Sequence, residues 1–347
     1  MNILGIDTSC DDTSAAVVSD GYHVLSNAVN SQIKVHHPYG GVVPELASRE
    51  HIRNIVPVVQ EALSAAGLKV RDLHGIAVTV GPGLIGSLLV GLYYAKGFAY
   101  VNHIPMIGVN HLEGHILSIF LEEKPPRFPF IALTVSGGHT SLYHVKDFGN
   151  YTLLGQTLDD AAGEAFDKVA KILDLGYPGG AVMERLSQTG QGDKIPFPRA
   201  YLSPESLDFS FSGLKTSVAL YVSKWREEEE GKGAVKVADI AASFQEAVID
   251  VLVHKFMMAS DKTGVASIVL AGGVACNKRL RERLRDIASE RGVEVYYPRP
   301  AYCTDNGAMI AASGYHRMIH GERASLSMDV RSKFPIQGYL SITPQNT

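Results

Sequence analysis

The chain has 347 residues, 46% of them apolar and 20% charged. That is ordinary globular usage, and it is enough sequence for two lobes of roughly 150 residues each. A formal net charge of −4 excludes a protein that holds nucleic acid by bulk attraction, so an RNA or DNA contact needs a local basic patch or a partner. Three cysteines, Cys10, Cys276 and Cys303, are too few and too scattered for a disulfide framework and fit a reduced, cytoplasmic setting.

Met1 runs straight into an apolar strand, Ile3-Leu4-Gly5-Ile6, with no basic leader or cleavage signal. Residues 2–22 read as a strand, a turn over residues 7–14 and a second strand. Residues 44–66 carry apolar side chains three and four apart, stop at Gly67, and predict a helix. Residues 73–80 predict a strand, followed by Gly81-Pro82-Gly83 and an apolar helix from Ile85. Residues 84–101 are the most membrane-like stretch, but Lys96 and several glycines mark a buried core helix rather than a span. No membrane association is expected.

Residues 129–145 repeat the plan of the first segment. A shift of 127 positions puts Ser9 on Ser136, Thr13 on Thr140 and Ser14 on Ser141, which predicts a duplicated α/β lobe. Further on, helices are predicted around residues 164–173, 180–186, 237–258 and 308–318. A buried strand over 267–270 runs into Gly272-Gly273, with a helix beginning near Asn277. Glu227 to Glu230, with Gly231 and Gly233, read as a solvated loop. The division expected is an N-terminal lobe over 1–125, joined by a C-terminal segment over about 325–347, and a C-terminal lobe over 126–324, with a cleft between them.

The strongest local signal is Asn110-His111-Leu112-Glu113-Gly114-His115. Histidines four apart lie ~40° apart around a helix, so both imidazoles face one way. They are either two ligands of one metal ion or a pair of helix-surface histidines. A His-Glu-x-x-His zinc peptidase needs its glutamate directly after the first histidine. Glu113 comes two residues after His111, ~200° around the helix, and faces away from the imidazoles. A third ligand is available in Asp305, which precedes a helical run and can equally be that helix's cap. Two histidines and one carboxylate suit iron(II) or zinc and leave coordination positions open.

The glycine clusters Ser136-Gly137-Gly138 and Gly272-Gly273 each follow an apolar strand, where backbone N–H groups can approach a phosphate. No P-loop or dinucleotide fingerprint is present. Asp11 and Asp12 sit at the tip of the first turn, either as ordinary turn residues or as groups that position a nucleophile. In the shifted alignment Asp12 meets His139. Lys278, Arg279, Arg281, Arg283 and Arg285 share one predicted helix, with Glu282 and Asp286 interleaved; the helix is a nucleic-acid surface or simply solvated.

These segments resemble the bacterial TsaD family, once called O-sialoglycoprotein endopeptidases, over roughly residues 1–335. The likeness runs through residues 5–13, 39–49, 81–84, 111–115, 135–140, 159–168, 177–180 and 208–216. One departure is Asp7, where the family more often has Glu, with the charge kept. The resemblance implies the two-lobed actin/Hsp70/sugar-kinase (ASKHA) fold, an α/β architecture with duplicated mixed-sheet lobes and an interlobe cleft. It implies transfer of a threonylcarbamoyl group from threonylcarbamoyl-AMP to N6 of adenosine 37 in tRNAs reading ANN codons, with release of AMP. His111, His115 and Asp305 match the family's metal ligands, the metal being iron(II) in the usual assignment, or zinc. Thr134, Val135, Ser136, Gly137, Gly138, Asp167, Gly180 and Asn277 match its substrate-binding positions, and Glu184 joins them one helical turn after Gly180. Asp11, Asp12 and His139 are the expected catalytic or positioning groups. tRNA and the proteins TsaB and TsaE are the implied partners; no DNA is expected. A small-molecule kinase of the same fold, a non-catalytic scaffold and a metallopeptidase are the alternatives.

Overall fold

A computed structural model describes residues 1–229, 235–336 and 338. The first hairpin extends into a three-stranded antiparallel meander, β1 (Asn2–Asp7), β2 (Asp12–Ser19) and β3 (His23–Ser31). Strands β4 (Gly75–Gly81) and β5 (Met106–Asn110) add to it in parallel, giving the order β3-β2-β1-β4-β5. A second meander, β6 (Phe130–Val135), β7 (Thr140–Asp147) and β8 (Asn150–Gln156), takes β9 (Ser267–Ala271) and β10 (Glu294–Tyr296) in parallel. Its order, β10-β9-β6-β7-β8, is the first sheet read from the other edge. The register carries the repeat: Asp7 pairs with Ser14 in one hairpin, and Thr134 pairs with Ser141 in the other. Both residues of the pair shift by the same 127 positions.

The helices follow in chain order. A one-turn α1 (Ile33–His36) precedes α2 (Pro44–Ala65), α3 (Ile85–Asn102) and α4 (His111–Leu117). Then come α5 (Ala162–Ile172), α6 (Gly179–Ser187), α7 (Ser212–Glu229) and α8 (Val237–Thr263). The last are α9 (Lys278–Glu290), a one-turn α10 (Pro300–Cys303) and α11 (Gly307–Ile319). In the first lobe Ile55, Val58 and Val59 of α2 and Leu92 and Ala95 of α3 bury one sheet face with Leu4, Ile6, Ile76 and Val78. The opposite face, Ile3, Ala16 and Ala77, is covered by Ala308, Met309 and Ala312 of α11. That helix rides directly on β1, because a Cβ on Gly5 would stand 2.1 Å from the Gly307 carbonyl oxygen. In the second lobe α5, α7 and α8 bury Phe166, Val218, Phe244, Val248 and Leu252 against Ile131, Leu133 and Leu270. After α11 the chain runs back along the first sheet, where Ala324 N donates to Met106 O at 2.8 Å and Arg331 N to Val80 O at 2.8 Å.

Three expectations change. The stretch Glu227–Glu230 does not begin a loop: its first three residues close α7, whose Leu214, Val218 and Val222 bury one face at helical spacing. Residues 230, 231 and 233 of that expected loop lie outside the described residues. The membrane-like helix α3 buries Leu88, Leu92, Ala95 and Ala99, but Tyr93, Tyr100 and Val101 on its other side are 62%, 69% and 73% exposed, so it is not a fully buried core helix. No helix among the described residues is long and apolar enough to cross a membrane. Each expected two-stranded hairpin gains a third strand, because β3 and β8 are half-exposed and too polar to announce themselves by apolar alternation.

Candidate metal centre and ligand cleft

Helix α4 starts abruptly where β5 ends. The Asn110 side chain accepts the backbone N–H groups of Leu112 (2.9 Å) and Glu113 (3.3 Å), capping the first turn. All seven residues of α4 are buried, so His111 and His115 are not surface histidines. Their Nε2 atoms lie 3.2 Å apart. Asp305 Oδ1 stands 3.5 Å from the first and 3.2 Å from the second. Asp305 is not a cap either: Asn306 caps α11, accepting from Met309 N at 3.0 Å.

The three atoms fit a metal ion. Ligands at ~2.1 Å in tetrahedral array stand about 3.4 Å from one another, close to the spacing seen here. Two imidazole lone pairs aimed at a carboxylate also call for a cation between them. Asp7 Oδ2 lies 3.2 Å and Ser9 Oγ 3.1 Å from His111 Nδ1, on the far side of that ring. A carboxylate there keeps the proton on Nδ1 and frees Nε2 for the ion. The surroundings favour positive charge here: burial alone would lower the His111 imidazole, but Asp305 and Asp7 outweigh it and push it up to about 10. Burial works to raise the Asp305 carboxyl, and His111 and His115 hold it well below the usual range.

Glu113 points away as its helical position requires. It is wholly buried, accepts Arg317 Nε at 2.8 Å and Tyr151 Oη at 3.0 Å, and Arg317 continues to Glu322 at 2.8 Å. It fastens α4 to α11 rather than activating water. Glu113→Ala should therefore leave His111, His115 and Asp305 chemically intact and cost stability, about 1–3 kcal/mol, by leaving the buried Arg317 guanidinium with the Glu322 carboxylate but without its partner on α4. A thermal-unfolding comparison at equal metal occupancy checks this; an unchanged midpoint refutes it.

Of the three candidate ligands, His111 and Asp305 line a cleft of about 650 Å³, which a neighbouring cavity of about 350 Å³ extends. Asp11, Asp12, Gly137, Asp167, Tyr177, Gly273 and Thr304 line both. Gly137, Gly138, Gly180 and Gly273 face open space, with nothing within 4 Å of a Cβ built on them. Gly272 shows the opposite need: at φ +92°, a Cβ would press to 2.4 Å from Val135 O. Thr134 and Val135 do not reach the cleft surface. Thr134 is buried and donates to Ser141 O at 3.3 Å, and Val135 lies in the second-lobe core.

The remaining sequence-selected residues do converge. Asp11 accepts the Tyr177 phenol at 3.1 Å. Burial, then the charge on Asp305, pushes the Asp12 carboxyl up to about 7. His139 sits beside the candidate metal ligands, and burial together with His111 and His115 pushes it down to about 4. Asp167 accepts Gly179 N at 2.8 Å, and burial raises it to about 6. Glu184 and Asn277 line the smaller cavity while holding the first turn of α9, accepting Lys278 N at 2.8 Å and Leu280 N at 2.9 Å.

Three of the five basic side chains of α9 have partners within the molecule. Arg279 forms a bidentate pair with Glu246 at 2.6 and 3.0 Å, Arg281 lies over the Tyr297 ring and bonds Ala275 O, and Arg285 bonds the Tyr297 hydroxyl. Asp7, Ser9 and Tyr177 are the site residues that sequence reasoning left out. The position of Asp7 at the end of the first strand, in line with Thr134 in the repeat, was the available signal.

The chain matches the model of tRNA N6-adenosine threonylcarbamoyltransferase (TsaD) over residues 23–312. A tRNA N6-adenosine threonylcarbamoyltransferase of Syntrophus aciditrophicus is 52% identical over 336 residues, covering 97% of this chain and 98% of the relative. One from Desulforapulum autotrophicum is 54% identical over 333 residues, covering 96% and 99%. Among solved structures, component A of Acidaminococcus fermentans (R)-2-hydroxyglutaryl-CoA dehydratase shares the fold with a TM-score of 0.55 at 17% identity, over 92% of this chain and 99% of that one. Full-length HypF, in its phosphate- and nucleotide-bound form, does so with a TM-score of 0.61 at 15% identity, over 92% and 47%. The chain, with its duplicated α/β lobes, belongs to the TsaD family of tRNA N6-adenosine threonylcarbamoyltransferases.

Proposed function

We propose that this protein transfers the threonylcarbamoyl group of threonylcarbamoyl-AMP to N6 of adenosine 37 in tRNAs reading ANN codons. The observation that carries this reading, beside family membership, is that the His111–His115–Asp305 cluster borders a glycine-lined cleft through His111 and Asp305. In the reaction N6 bonds to the carbamoyl carbon, the bond from that carbon to the phosphate oxygen breaks, AMP leaves, and N6 loses one proton. AMP is a good leaving group, so the main task is placing a weakly nucleophilic amine.

The backbone N–H groups of Gly137 and Gly138 stabilise charge developing on the acyl group, with Ser136, whose own N–H donates to His139 O at 2.8 Å, and Thr134 and Val135 holding the strand beneath them. Asp167, Gly180, Glu184 and Asn277 receive the nucleoside part of the adenylate. Asp11 orients the amine and takes its proton, assisted by Asp12 or His139. His111, His115 and Asp305 hold one divalent ion, iron(II) or zinc, which when bound supplies a Lewis acid for the carbamoyl or phosphate oxygens. The lobes are assigned as 1–125 and 126–324, except that α11, by its packing on the first sheet, and the segment from about 325 join the first. TsaB and TsaE are the partners and the cytoplasm the setting. The exposed apolar side of α3, with Ile52 and Val56 of α2, offers a surface for one such protein.

The test is a reconstituted reaction with adenylate, tRNA and the partner proteins, joined to metal analysis. The expected result is modified tRNA and AMP in equal amounts. Phosphate transfer from ATP to a sugar or small acid, with no modified tRNA, refutes the reading in favour of a kinase.

A further inference from the structure

Tyr177 joins parts of the molecule that are far apart in sequence. Its phenol donates to Asp11 Oδ2, 166 residues away, and its carbonyl oxygen lies 2.7 Å from His37 Nδ1. Asp11 belongs to the first hairpin, Tyr177 to the turn between α5 and α6 in the second lobe. His37 stands in the segment 32–43, which leaves β3 and re-enters the first lobe at α2.

That segment has the build of a strap. Gln32 N donates to Asp11 O at 3.0 Å, and its side-chain amide donates to Ala47 O at 3.3 Å. His36 Nε2 lies 3.1 Å from Gln32 Oε1, and its Nδ1 accepts Val43 N at 3.3 Å. Both ends are thus pinned to the first lobe, while the crown at His37 rests on the second. Beyond the crown Gly41 and Val42 line the larger cavity, and Ile33 lines the smaller. The fit at the crown is close: a Cβ on Gly176, at φ +86°, would stand 3.2 Å from His37 Cε1. Two hydrogen bonds at partly exposed sites are a reversible fastening, of the kind a closing lid uses.

We propose that Tyr177 is a positioning residue whose phenol aims the Asp11 carboxylate into the cleft while its carbonyl fastens the 32–43 strap over the bound adenylate. The inference rests on the reading that this cleft takes the adenylate. One residue then couples nucleophile placement, through its side chain, to exclusion of water, through its backbone carbonyl, and exclusion matters because the adenylate is a mixed anhydride. Water attacking its carbamoyl carbon forms a C–O bond, breaks the bond to the phosphate oxygen, and releases AMP and the free carbamate with no tRNA modified.

The experiment uses the full chain with its partner proteins and measures AMP released against modified tRNA in one reaction. Hydrogen exchange of the backbone with and without adenylate is followed in parallel. In the wild type adenylate should protect both 134–139 and 33–43, and AMP should match modified tRNA. Tyr177→Phe keeps the ring and its packing; it should lower kcat about tenfold with KM for tRNA within about twofold, and raise AMP per modified tRNA at least about threefold. His37→Ala should raise that ratio and the exchange of 33–43 while sparing most of kcat. Wild-type kcat and ratio in Tyr177→Phe overturn the proposal, as does a strap that adenylate leaves unprotected while 134–139 is protected. Absence of protection at 134–139 in the wild type overturns the cleft reading itself.

Discussion

His111→Ala and His115→Ala should each purify folded, with bound divalent metal at least about tenfold below the wild type and single-turnover transfer lowered about 10²-fold or more. The reason lies in how few groups share the charge. Asp305 faces both Nε2 atoms at 3.5 and 3.2 Å, so losing one ring leaves the carboxylate and a single imidazole, too few ligands to hold an ion firmly. Asp7→Asn is the graded companion. It keeps the ligand set and removes the negative charge 3.2 Å behind His111, so metal affinity should fall about 10–100-fold. Elemental analysis and a single-turnover assay on the same preparations check both. Full activity in a His111→Ala protein shown to hold no metal would sink the metal reading and favour a scaffold role.

What the sequence made legible follows from how far each interaction reaches. The duplicated hairpins were readable because Ser and Thr recur on strands whose apolar alternation is local, and the 127-residue shift reappears in the strand register. The His111–His115 pair was readable because a helix fixes the i, i+4 relation, and the same geometry correctly turned Glu113 away. Asp305 stayed ambiguous for a physical reason: only the packing of α11 on the first sheet decides whether the carboxylate or Asn306 caps the helix. Thr134 and Val135 fit a substrate motif in the sequence, but strand pairing and the core claim their side chains. Part of the apparent free charge of α9 is engaged, because Glu246 on α8 pairs with Arg279 and Tyr297 on a later segment takes Arg281 and Arg285, and neither neighbour is visible in the helix's own sequence. Tyr177 was passed over for the same reason, since its partners Asp11 and His37 lie more than a hundred residues upstream.

Asp11→Asn should lower single-turnover transfer at saturating tRNA about 10²–10⁴-fold, the range a lost general base produces. The variant isolates proton acceptance. Asparagine keeps the size of the side chain, and its carbonyl oxygen can still accept the Tyr177 phenol, so metal content and adenylate binding should match the wild type. The neighbouring groups are poorer candidates for the same task. Asp12, raised to about 7, has a pKa suited to a base, but its Oδ1 is buried from solvent and no hydrogen bond aims that atom. His139, lowered to about 4, is neutral there but a weak proton acceptor. Asp12→Asn and His139→Gln should therefore each cost less than Asp11→Asn in the same assay, within about tenfold of wild type. Were Asp11→Asn to transfer at the wild-type rate while Asp12→Asn did not, the base would be the buried carboxyl, and rate should then climb as pH rises through about 7. A pH–rate profile of Asp11→Asn beside the wild type checks for that limb.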